Sequence, residues 1–116
     1  MQNTPMVHRM GLQPLPFSQV KTGTKIIESR LNDEKRQQIE LGDTIEFGLE
    51  PDRVEIVETK VIELIHADTF SDLFDLYPPE AFGGTDKEDL TGIYKYYSKE
   101  DEAKYGVLGI RVELTG

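Results

Sequence analysis

The sequence predicts an α+β fold, a small mixed β-barrel with helices packed at its ends. Three observations lead there. Short segments with the two-residue alternation of half-buried strands recur along the whole 116-residue chain. A stretch with helical spacing separates the last of these segments from the others. The regular strand–helix alternation that a doubly wound sheet needs is missing.

The elements follow in order. Val7–Leu12 reads as a first short strand. Pro14 and Pro16 suit the first turn of a helix, Phe17 and Val20 share a face, and Gly23 suits its end, so a short helix is expected over about Pro16–Thr22. Lys25–Leu31 is the next strand, with β propensity from Ile26 and Ile27. Asn32–Gln38 is polar and reads as a loop. After Gly42-Asp43, Ile45 and Phe47 alternate with Thr44 and Glu46, a half-buried strand. Pro51-Asp52 marks a hairpin turn before Val54.

Val54–Ile65 is a long strand whose alternation breaks. Val54 and Ile56 set one phase, Val61 and Ile65 take the other, and Ile62 and Leu64 return to the first. A bulge, or burial on both faces, accounts for the break. Thr69 caps a helix carrying Phe70, Leu73, Phe74 and Tyr77, which Pro78-Pro79 ends. Phe82-Gly83-Gly84 is a loop. Thr85 with Glu88, and Ser98 with Asp101, have capping-box spacing and mark two further helix starts. Gly106–Leu114 closes the chain as a strand, with Leu108, Ile110, Val112 and Leu114 on one face. Gly109 in its middle marks a bulge or a close approach by a ligand, the bulge being preferred. One domain over residues 1–116 is expected, with about residues 1–5 as a flexible N-terminal extension.

Composition narrows the function classes. Apolar residues make up 37% and charged residues 30%, a globular balance. Without cysteine there is no disulfide, thiolate metal site or cysteine nucleophile. Met1–Met10 has no apolar run resembling a signal peptide, and no window is apolar enough for a membrane span, so a cytoplasmic location away from membranes is the simplest expectation. The net charge of −9 is uneven. Residues 1–42 hold six Lys or Arg against four Asp or Glu, and residues 43–116 hold seven against eighteen. Such a chain repels a long polyanion over most of its surface, so binding to long DNA is not expected. A nucleotide held at the less acidic N-terminal part remains compatible. His8 and His66 have no second ligand at metal spacing, and no phosphate-binding glycine loop is present, so no metal or cofactor is expected.

The informative segment is Gly23–Asp33. Glu28 and Arg30 are two apart on a strand and share a face, whereas Lys25 has the opposite parity and joins them only through a twist or bulge after Gly23. The like charge of an adjacent arginine favours the neutral form of a lysine amine, the form that serves as base or nucleophile. Glu28 suits hydrogen bonds from a base edge or a proton shuttle, and Arg30 suits a carboxylate, phosphate or carbonyl. Spacing alone equally allows a solvent-exposed strand face with a weak Glu28–Arg30 pair. Tyr94, Tyr96, Tyr97 and Tyr105 cluster within twelve positions and offer either nucleobase stacking or half-buried packing.

Gly23-x-Lys25-x-x-Glu28-x-Arg30 resembles the signature of the ASCH domain family, within the PUA-like superfamily. Leu41–Phe47 resembles that family's next strand and Tyr105–Ile110 its closing strand. The resemblance implies a PUA-like barrel with a cleft beside the first helix, lined by Lys25, Glu28 and Arg30. It implies RNA, a nucleotide or a modified nucleoside as partner. One branch of the family hydrolyses N(4)-acetylcytidine with a lysine and a threonine three residues later. Lys25 matches the lysine, but Glu28 stands at the threonine position. With Tyr97 and Ser98 chosen for their place at a helix boundary, the expected ligand-binding set is Lys25, Glu28, Arg30, Asn32, Tyr97 and Ser98. Lys25 and Glu28 are the catalytic pair if the protein is a hydrolase. A ligand-free interaction module is the third alternative.

Overall fold

The structure is a computed structural model that describes residues 5–115, so most of the expected N-terminal extension lies outside the described residues. Five strands form one sheet: β1 (Val7–Leu12), β2 (Ile27–Leu31), β3 (Thr44–Leu49), β4 (Ile56–Ala67) and β5 (Val107–Leu114). Their spatial order is β1-β3-β4-β5-β2, with β1 parallel to β3 and the other pairs antiparallel. The barrel is a half-barrel. Strands β1 and β2 are its two edges, and no backbone ladder joins them. Asp43 pins the start of β1 in place. Its carboxylate accepts the Met6 and Glu40 N–H groups at 3.1 and 3.0 Å and lies 2.8 Å from His8 Nε2.

Two hydrophobic clusters occupy the two faces. Helix α1 (Pro14–Thr22) lays Phe17 and Val20 onto the concave face, against Met10, Ile45, Phe47, Leu108 and Ile110. The other face carries Ile27, Leu31 and Val107, covered by Phe70, Leu73, Phe74 and Phe82. The covering residues come from helix α2 (Phe70–Phe74) and a 3-10 turn at Pro79–Phe82. Helices α3 (Lys87–Leu90) and α4 (Lys99–Tyr105) complete the insertion between β4 and β5. Of these helices, α2 packs directly on β4 and β5.

The broken alternation of β4 has both expected causes. A register shift between Val61 and Glu63 is the bulge. Before it, Val57 and Val61 face the concave cluster. After it, Leu64 faces that cluster while Ile65 and Ala67 turn to the helical side. One extra residue inverts the parity, so a single strand feeds both cores. The strand itself runs two residues later than expected, because Val54 belongs to the turn and is 80% exposed.

Three local readings change. The helix capped by Thr69 stops at Phe74 instead of reaching Tyr77, in keeping with the bias against helix that Pro78 imposes on the residue before it. The cap of α3 is Asp86, whose carboxylate accepts the Asp89 N–H at 2.9 Å, while Thr85 donates to the Asp89 carboxylate. Aspartate caps as well as threonine and adds a negative charge at the positive helix end. Gly109 marks neither a bulge nor a ligand. It pairs regularly with Ser29 and Ile65, and a Cβ there would stand 2.9 Å from Leu73 Cδ1. The glycine lets α2 approach the sheet. Gly109→Ala is expected to destabilise the protein by about 1–3 kcal/mol through overpacking, read as a lower urea midpoint with an unchanged slope.

Candidate functional site

The open seam between β1 and β2 is where the motif residues gather. Helix α1 ends at Gly23, whose left-handed φ of 82° turns the chain back. The Gln19 carbonyl then accepts the N–H groups of Thr24 and Lys25 at 2.9 and 3.1 Å, a helix terminus of the Schellman kind. Lys25 thus sits in the turn before β2, and strand parity does not govern it. Glu28 and Arg30 are in register with Ile110 and Leu108, so all four share the concave face.

Glu28 lies between the two cations. Its Oε1 is 3.0 Å from Lys25 Nζ, and its Oε2 accepts from Arg30 Nη2 at 2.9 Å. Oε1 also accepts the Ser29 N–H at 3.2 Å. Arg30 Nη2 donates in addition to the Gly11 carbonyl at 3.1 Å, so one guanidinium bridges the two edge strands. The side chains of Lys25, Glu28 and Arg30 retain 12%, 6% and 15% of their exposure. The set is a buried ion triad, not a solvated strand face. Burial pushes the Glu28 carboxyl up, but the charges of Lys25 and Arg30 and their hydrogen bonds outweigh it and hold the group at about 2, against an ordinary 4.5. For Arg30, burial lowers the pKa, and Glu28 with the Tyr97 phenol outweighs it and raises it.

Above the triad is a cavity of about 810 Å3, open to solvent. Lys25, Glu28, Arg30 and Tyr97 all line it. Asn32 and Ser98 do not. Asn32 lies past the seam at the end of β2, with its N–H on the Gly106 carbonyl, and Ser98 caps α4 by accepting the Asp101 N–H at 3.1 Å. The tyrosine cluster divides. Tyr94 and Tyr105 pack against the helical-side core, Tyr94 donating to the buried Glu102 carboxylate at 2.7 Å. Tyr97 stacks on Phe70 with ring centroids 5.5 Å apart, and Tyr96 on the cavity wall is 73% exposed.

The sequence reading missed Gln19 and Gly83, and it named Tyr96 within the tyrosine cluster without placing it in the cleft. Gln19 Nε2 donates to the Gly83 carbonyl at 2.9 Å, tying the Gly83 turn to α1. Gly83 has a φ of 92°, and a Cβ on it would stand 2.7 Å from Gln19 Oε1 and 3.1 Å from Lys25 Cδ. The Gly83-Gly84 pair signals a turn, but nothing in it says that the turn lands on Lys25.

A five-strand half-barrel with a helix on its concave face and a polar cleft at the open seam defines a PUA-like α+β protein. The ASCH domain model matches residues 10–116. The chain belongs to the ASCH domain family. Among solved structures it is similar to the hypothetical protein PH0355, with 34% identity, a TM-score of 0.82, and coverage of 94% of this chain and 99% of that one. It is also similar to protein PF0455 from Pyrococcus furiosus, with 28% identity, a TM-score of 0.69, and coverage of 95% and 98%. No curated protein matches the chain.

The depressed Glu28 pKa sets an acid dependence. Because the folded value lies below the unfolded one, its stabilisation is complete above about pH 4.5 and is lost as pH falls toward 2. The shift is worth on the order of 3 kcal/mol. Glu28→Gln mimics the protonated carboxyl. It is expected to cost about that much at pH 7, with the gap to the wild type closing between pH 4.5 and 2. Denaturant titrations at pH 7, 4 and 2.5 check this, and a gap independent of pH would remove the ion triad as its cause.

Proposed function

We propose that the seam cleft binds RNA or a nucleotide-like ligand, one or a few nucleotides at a time. The observation that carries this reading is a buried Lys25–Glu28–Arg30 triad facing a cavity whose lining also presents the exposed ring of Tyr96. The ASCH family is generally linked to RNA binding. A volume of about 810 Å3 suits a mononucleotide. A base lies against Tyr96, whose π face is free, and polar groups meet the triad. The concavity at Lys25 weighs against a ligand-free interaction module.

The geometry gives less to hydrolysis of a modified nucleoside by Lys25 and Glu28. A carboxyl held at about 2 and flanked by two cations is a weak proton acceptor at neutral pH.

The chain's acidity limits the footprint. With a net charge of −9, few phosphates can meet a cation. Titration of a short single-stranded RNA across salt is expected to give a log–log slope no steeper than about −1.5, corresponding to about two phosphates. A slope near about −4 would place a long strand on the surface instead. Tyr96→Ala is expected to weaken binding by about 1–3 kcal/mol, the worth of one stacked base. Its melting temperature should stay unchanged, because the ring is exposed.

A further inference from the structure

We infer that the triad is an anion subsite and that the ligand class is a nucleoside monophosphate, with the phosphate on Lys25 and Arg30 and the base against Tyr96. This rests on the nucleotide reading of the cleft and narrows it.

The first argument is charge. Two cations and one carboxylate leave the buried triad at a net charge of plus one. Of the other carboxylates on the lining, Glu50 is paired with Arg53 at 2.9 Å, whereas Asp89 keeps its charge and is held in the insertion by the Thr85 N–H at 3.0 Å and the Thr85 hydroxyl. The cation in excess over Glu28 within the triad, with little of its surface in water, favours an anion from solvent.

The second argument is the hydrogen-bond inventory. Glu28 has about four acceptor positions, and Lys25, Ser29 N–H and Arg30 occupy three. Arg30 has five N–H donors. The two on Nη2 go to Glu28 and Gly11, and the Tyr97 phenol takes at most one more, so at least two remain. Lys25 keeps at least two of its three. The floor therefore offers several free donors and a single free acceptor. A neutral base edge presents donors and acceptors together and would leave most of these unmet. A phosphate brings acceptors only, and a planar guanidinium beside an ammonium matches it.

The third argument is the shape of the rest. Leu15, Pro16, Ile93 and Tyr96 add apolar surface to the cavity lining beside the triad's polar groups. Such a site takes an amphiphilic anion, with a flat body and one charged head.

The test is calorimetric titration of the wild type with the four ribonucleosides, their 5′-monophosphates and inorganic phosphate. Each charge-assisted hydrogen bond is worth roughly tenfold, so a monophosphate is expected to bind at least about tenfold tighter than its nucleoside. Inorganic phosphate should compete with the monophosphate and leave nucleoside binding unchanged. A short RNA with a 5′-phosphate, compared with its 5′-hydroxyl twin, reads whether the monoester arrives free or on a strand end. A preference in either form supports the site. Lys25→Met should erase most of the preference of monophosphate over nucleoside, and Tyr96→Ala should weaken both ligands alike. Equal affinity of nucleoside and monophosphate in the wild type overturns the anion subsite and leaves nucleotide-like binding standing. Binding of neither overturns both.

Discussion

A carboxylate on the concave side of the sheet needs partners, and much of the site's geometry follows from how Glu28 obtains them. Desolvation alone would neutralise it. Two cations arriving from different directions keep it charged. One comes from the turn that ends α1, the other from two residues along the same strand. Arg30 continues past Glu28 to the Gly11 carbonyl on the far edge. The ion triad is thus also a cross-link between α1, β2 and β1, at the one place where the half-barrel lacks a backbone ladder. A ladder there would have filled the seam. A side-chain bridge closes the edges while leaving room for a cleft.

The sheet supports this arrangement by being buried on both faces. Alternating residues of β5 serve two cores, and the bulge in β4 hands its apolar residues from one face to the other. The insertion between β4 and β5 can then cover the helical side and still bring its Gly83 turn and Tyr96 to the cavity lining. Gly109 and Gly83 serve the same purpose in different ways. Each removes a Cβ where helix or loop comes within contact distance of another chain segment.

The electrostatics of the chain and of the triad have opposite signs. The acidic surface discourages polyanions, while the triad at the seam carries one positive charge in excess. That contrast favours a small anionic ligand over a long strand. It also separates the two uses a Lys–Glu pair can have, since a carboxylate held by two cations positions a ligand better than it accepts a proton.

Read without the structure, the chain already determined the α+β class, the strand segments, the bulged fourth strand and the motif Lys25, Glu28, Arg30. Each is written in local periodicity or short spacing, and two-residue alternation puts Glu28 and Arg30 on one face whatever the rest of the chain does. The tertiary structure alone decided that this face is the buried concave one and that Lys25 reaches Glu28 from outside the strand. It alone decided that Tyr96 rather than Ser98 or Asn32 lines the cleft, and that Gly109 makes room for Leu73. These depend on contacts between segments far apart in sequence, such as Gly83 on Gln19 and Arg30 on Gly11. Local pattern carries no record of such contacts, because burial of a polar side chain is set by what packs over it and not by its neighbours along the chain.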